Sequence, residues 1–322
     1  MPALPSPSAT DNPESLADWL ELNALQAADQ NSSLQDLTQV IRRTGTVEEL
    51  DSDEDDSEDD TDDHFPDRGA EQSQRVSEDA FSEIEDRFSS CGGEEKAYPY
   101  TVQGQYIELR KKPEESIYLF LLLLSQFGKD AGPPGIDAAS LFEKVCIEAA
   151  RSYFGVLNLG VEGYHFGAPR RSTPKKFADA LNEMCARMGE GVGCRLERPR
   201  VEDQKDAKLD LVVWRHFPDN RAGKLIGFGQ CATGNNWREK ISELQPGAFC
   251  KLWMKDALAV DPVRIFFVPF RIEKSRWLEA VLYGGIIFDR CRIAFHTHDI
   301  DTDTLRDCGK WTKYVLKKVL KA

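Results

Sequence analysis

Lys208-Leu-Asp-Leu-Val-Val-Trp214 and Leu225-Ile-Gly-Phe-Gly-Gln-Cys-Ala232 decide the fold of this chain. Each run is apolar enough to be a core strand, and each carries one polar residue that such a strand should avoid, Asp210 and Gln230. The ten residues between them include Pro218-Asp-Asn-Arg-Ala-Gly223, whose composition favours a turn. A hairpin centred near Asn220 makes Asp210 and Gln230 cross-strand neighbours. Burying a carboxylate beside an amide is unfavourable by several kcal/mol, on the order of 2–7, unless both find partners. A metal ion and a phosphate would supply them.

Working outward, the elements alternate. A strand or hairpin over 98–109 leads into a Leu-rich helix at about 114–127, and a second helix spans Leu141 to Ala150, capped by Asp137 or Ser140. Thr173-Pro174 has the form of a cap followed by a first-turn proline and opens a helix to about 188. After the two marked strands, Asn235 and Asn236 are placed to cap a helix through Leu244, and another follows at 248–258. Val263–Val268 reads as a strand buried on both faces, and 285–288 with 290–295 as one more. The order implies an α/β fold with a mixed central sheet flanked by helices.

The chain divides by charge. Residues 1–95 hold 27 Asp and Glu against 5 Lys and Arg, so the remaining 227 residues carry a net +8 within a chain of net −14. The expected organisation is an N-terminal helical segment (1–46), an acidic disordered linker (47–95) and a globular domain (96–322). Twelve acids among the sixteen residues from Glu48 to Asp63 repel one another and bury nothing. A basic body points to a polyanionic partner, nucleic acid first. The N-terminal helices are candidates for recruiting a partner protein. Eight scattered cysteines without a CxxC pair, and no apolar leader, fit reduced thiols in a cytoplasmic protein. The apolar run Ile117–Leu124 is too short to span a bilayer, so no membrane role is expected.

The helix, the Asp-bearing strand and the Gln-bearing strand together resemble the restriction-endonuclease-like, PD-(D/E)XK, nuclease superfamily over about residues 136–297. On that resemblance Asp210 matches the metal-binding aspartate, Gln230 the Glu or Gln of the Glu-x-Lys element, and Glu143 the helical glutamate, with Glu148 in reserve. The implied fold is a restriction-endonuclease-like core. The implied activity is Mg²⁺- or Mn²⁺-dependent hydrolysis of phosphodiester bonds, in DNA ahead of RNA, within prokaryotic defence or DNA processing. Hard oxygen donors suit these ions, which keep several waters and take one or two protein carboxylates. Asp210, Glu143, the Gln230 amide oxygen and the Cys231 backbone carbonyl make such a set.

One departure stands out. The family's lysine falls on Ala232, which leaves Lys240, on the following helix, or Lys208 to supply the cation. If neither reaches the site, the alternative is a non-catalytic nucleic-acid-binding adaptor with a degenerate nuclease fold. Arg170, Arg171, Lys175 and Lys176 form a candidate phosphate-binding cluster, and the Asn235-Asn236 loop could hold an anion at a helix start. A cysteine hydrolase built on Cys231 lacks a nucleophile turn. Zinc at Cys291, His296, His298 and Cys308 lacks a known spacing.

Overall fold

The computed structural model describes residues 6–50, 68–93, 97–155, 160–168, 174–197, 201 and 204–319. The chain divides into two compact units, residues 1–112 with 315–322, and residues 113–314.

The first unit contains α1 (Pro13–Gln26), β1 (Asn31–Ser33), α2 (Leu34–Leu50) and α3 (Arg68–Ser90), then a hairpin of β2 (Tyr100–Gln103) and β3 (Tyr106–Leu109). The 98–109 hairpin pairs back onto β1, giving an antiparallel sheet in the order β1-β3-β2. Helix α3 falls within the span expected as an acidic disordered linker (47–95) and corrects that expectation for 68–90, where buried apolar residues such as Ala80, Phe81 and Ile84 give the segment a packed face. A buried charge cluster ties it to α1: Arg87 bonds Asp18 at 2.7 Å, Glu21 at 3.0 Å and Glu83 at 2.9 Å. From residue 51 to 67 the acidic run lies outside the described residues.

In the second unit, α4 (Ile117–Phe127) is the Leu-rich helix, buried from Ile117 to Leu124. Then come α5 (Ala138–Phe154), β4 (Val161–His165), α6 (Phe177–Met188), β5 (Val192–Cys194), β6 (Leu211–Arg215) and β7 (Leu225–Cys231). Next are α7 (Trp237–Lys240), α8 (Pro246–Trp253), β8 (Met254–Asp256), β9 (Val263–Phe267) and α9 (Trp277–Gly284). The last elements are β10 (Ile286–Phe288), α10 (Arg290–Phe295) and α11 (Thr302–Val319), whose residues from 315 on belong to the first unit.

A five-stranded mixed sheet, in the order β10-β9-β7-β6-β4, organises this unit. Strands β4, β6 and β7 run antiparallel, and β9 and β10 add in parallel. The hairpin register is the expected one: Leu211 faces Gly229 and Arg215 faces Leu225, which sets Asp210 opposite Gln230 at the open end. Asn220 in the turn takes a positive φ of 53°, as turn asparagines do. On one sheet face Phe154 of α5, Leu211 and Phe267 occupy the room left at Gly227 and Gly229. On the other, Val212, Trp214 and Phe228 pack with α6 and α8 through Phe177, Met184, Phe249 and Trp253.

Three expectations are corrected. Residues 290–295 form α10, not a strand, because Asp289 caps them through a bond from Arg292 N at 3.1 Å. The helix expected from Pro174 begins at Phe177, with Lys176 at the cap position. Asn235 and Asn236 open only the four-residue α7, and neither side chain caps it. Among the described residues no helix is long and apolar enough to cross a membrane.

Candidate metal centre

Strand β6 is preceded by a backbone that cannot stay extended, since Ala207 and Lys208 have φ of 52° and 73°. That bend ends the ladder and leaves Asp210 at the sheet rim, still anchored by its N–H to Gly229 O at 2.9 Å. The backbone N–H groups of Phe166 and Gly167 both donate to Asp210 O, at 2.8 and 2.7 Å. They draw the segment after β4 across the mouth of the hairpin. Cys231 N donates to Asp210 Oδ2 at 2.7 Å, which leaves Oδ1 as the open oxygen.

Glu143 comes from the second turn of α5. Asp137 caps that helix by accepting from Ala139 N at 3.1 Å and Ser140 N at 3.3 Å. A Cβ on Gly167 would lie 2.7 Å from Glu143 Oε2 and 3.3 Å from Asp210 Oδ1. The two carboxylates therefore flank a space that exists because residue 167 has no side chain. Burial first, and then the Glu143 charge, push the Asp210 carboxyl well above its ordinary value, while the Cys231 N–H and Lys240 pull against them. Two carboxylates brought together in an enclosed site repel each other, and a cation placed against both would relieve that repulsion.

His165, at the end of β4, is hydrogen-bonded through Nε2 to Glu143 Oε2. Gln230 points to the opposite side of the strand from Cys231, and its Nε2 donates to Glu243 Oε2 at 3.0 Å. Gln230 is buried, and its Oε1 has no partner. An unpaired buried amide oxygen is rare and unfavourable. Lys208 does not face the site as its register implied. The positive φ turns it outward, and Nζ bonds Glu243 Oε1 at 3.2 Å. Among the described residues the Lys240 side chain makes no hydrogen bond or ion pair, and its charge acts on Asp210. Ala232 is buried, so the lysine position of the sequence pattern is closed to solvent.

The remaining candidates divide. Glu148 pairs with Arg151 at 2.9 Å and takes no part in the centre. Cys231 turns its thiol towards Cys146 of α5, and burial pushes both thiols up. This is the environment of a packing cysteine rather than a nucleophile. Lys175 and Lys176 are exposed, whereas Arg170 and Arg171 lie outside the described residues. The anion site at Asn235 and Asn236 loses its basis, because four residues make no appreciable helix dipole. Among the described residues no group of three His, Cys, Asp or Glu side chains is arranged to hold a metal, which removes the zinc constellation. His165, Gly167 and Glu243 are additions that sequence reasoning did not reach.

The donor set nonetheless fits a hard cation. Asp210 Oδ1 and Glu143 Oε2 meet at Gly167, Gln230 Oε1 is a buried oxygen without a partner among the described residues on the neighbouring strand, and Mg²⁺ takes one or two carboxylates while keeping waters. No family model, curated protein or solved structure matches the chain.

Proposed function

We propose that the second unit is a Mg²⁺- or Mn²⁺-dependent nuclease of the restriction-endonuclease-like class, acting on DNA ahead of RNA. The observation that carries this reading is the space between Glu143 Oε2 and Asp210 Oδ1 at Gly167. It is supported by the Glu-bearing α5, by the antiparallel β4-β6-β7 set extended in parallel by β9 and β10, and by the orphan oxygen of Gln230. A bound divalent ion would neutralise phosphate charge and lower the pKa of a water. Asp210, Glu143 and Gln230 would hold it, with the Cys231 carbonyl within the same strand end. Cys231 N–H fixes the Asp210 carboxylate, and His165 does the same for Glu143. Lys240, whose side chain has no ion-pair partner among the described residues, is a cation available to the phosphate. A hollow of about 270 Å³ is lined by Trp237, Arg238, Ser242, Arg276 and Tyr283, from and beside the segment that carries Lys240. Aromatic and guanidinium surfaces of this kind stack nucleobases.

The test is incubation of the full chain with plasmid, linear and single-stranded DNA and with RNA, each with Mg²⁺ or Mn²⁺. Metal-dependent cleavage lost in Asp210→Asn is expected. Cleavage at the wild-type rate in that variant removes the assignment.

A second reading is favoured by one observation, the buried Ala232 where a lysine would stand. On it, the unit binds nucleic acid without cutting and the N-terminal unit recruits a partner protein. Metal-dependent thermal stabilisation that needs Asp210 argues against this adaptor, and its absence argues for it.

A further inference from the structure

We infer that Glu243 is a positioning residue that fixes the amide of Gln230 with its oxygen presented to the metal, an inference that rests on the nuclease reading above. The amide can sit in either of two orientations. With Nε2 towards Glu243 Oε2, a donor meets an acceptor at 3.0 Å. With the amide reversed, Oε1 would meet that carboxylate oxygen at the same separation with no proton between them. The second arrangement is repulsive, so Glu243 selects the first. Its other oxygen is held by Lys208 Nζ at 3.2 Å, which keeps the carboxylate from swinging away. Gln230 Oε1 is thereby turned away from Glu243, and it is the atom left buried and unpartnered.

This arrangement also accounts for the residue type. A glutamate at 230 would add charge to the proposed centre, yet it would face Glu243 with no donor between the two carboxylates. Glutamine meets both demands, with its N–H₂ for Glu243 and its oxygen for the cation. Groups that orient a metal's ligands without touching the metal change affinity by about 10–100-fold when removed.

The experiment follows Mn²⁺ binding alone, as the metal-dependent rise in melting temperature of the full chain and by calorimetric titration. Glu243→Gln, which can accept from Gln230 Nε2 or donate to Gln230 Oε1 and so pairs with either orientation, is expected to weaken Mn²⁺ about tenfold with little change in the metal-free melting temperature. Gln230→Glu is expected to bind no more tightly than wild type despite its extra charge. Gln230→Glu with Glu243→Gln is expected to restore or exceed wild-type affinity, because the amide and carboxylate have exchanged places. A merely structural role for Glu243 would return stability in the double variant without moving Mn²⁺ affinity, and that result overturns the inference. So does wild-type affinity in Glu243→Gln while Asp210→Asn abolishes binding, an outcome that spares the metal centre itself. Unchanged Mn²⁺ binding in Asp210→Asn removes the centre, and the role of Glu243 with it.

Discussion

Glu143 Oε2 and Asp210 Oδ1 both border the position that a side chain on Gly167 would fill, 2.7 and 3.3 Å from its Cβ. One carboxylate comes from a helix and the other from a strand end, and the segment that brings Gly167 between them hangs from Asp210's own carbonyl. Like charges placed together in an enclosed space raise the energy of the metal-free fold. On the metal-centre reading proposed above a cation would relieve this repulsion, and each part of the arrangement can be varied separately.

Gly167→Ala is expected to close the space. The glycine does not require a positive φ, so the backbone accepts alanine and the conflict is with the carboxylate oxygens alone. Overpacking of this kind destabilises by roughly 1–3 kcal/mol. The measurement is Mn²⁺-dependent thermal stabilisation, which should disappear while a cooperative melt remains. Full stabilisation by Mn²⁺ in the alanine variant would place the ion elsewhere.

Asp210→Asn is expected to stabilise the metal-free protein while removing metal binding. Burial and Glu143 lift the folded carboxyl well above the unfolded value of 3.8. A group lifted in the fold contributes stability below its unfolded value and loses it as pH rises through the folded one. The wild type therefore takes on this penalty as pH rises towards the folded value and the asparagine does not, so the variant is expected to gain on the wild type with increasing pH. Urea unfolding between pH 4 and 8 checks the sign. The wild type should lose stability with rising pH relative to the variant, and parallel curves would contradict the electrostatic account.

What the sequence made legible follows from how local each signal was. The hairpin, its register and the pairing of Asp210 with Gln230 rest on period-two alternation and a turn, which are short-range properties. Glu143 was reachable because α5 has a strong apolar stripe and a recognisable cap. Strand β4 was not, since Val161-Glu-Gly-Tyr-His165 carries a glycine at its centre and reads as a loop. That glycine is there because Ile147 of α5 would lie 2.5 Å from its Cβ, a contact between elements that no local pattern encodes. His165 was lost along with the strand. Lys208 failed for a related reason: strand counting assumes extended backbone, and a φ of 73° ended it two residues before Asp210.

In the N-terminal unit, Arg87→Met is expected to be more damaging than loss of any of its partners. Arg87 is fully buried and holds Asp18, Glu21 and Glu83, with Glu14 O accepting at 2.8 Å. Removing the Arg87 guanidinium takes its charge away from three buried carboxylates, a change that destabilises by about 3–5 kcal/mol. Chemical unfolding should show the N-terminal unit melting separately from the rest in this variant. A single transition at the wild-type midpoint would mean the cluster contributes little.

Above pH 9, the core between α6 and α8 is expected to weaken the fold. Burial pushes the Cys185 thiol up to about 11 and the Cys250 thiol up to about 12, against 9.0 in the open chain. Both values are raised, so the stabilisation is complete below pH 9 and declines as pH climbs through the folded values. Near pH 10 the unfolded thiols are largely ionised and the folded ones largely neutral, which destabilises the fold by about 1 kcal/mol for each group. Melting curves at pH 8 and pH 10 on the wild type and on Cys185→Ala with Cys250→Ala isolate the effect. The double variant starts less stable, because two packed sulfurs are gone, but it should lose less on going to pH 10. Equal losses in the two proteins would show that these thiols do not govern the alkaline limit.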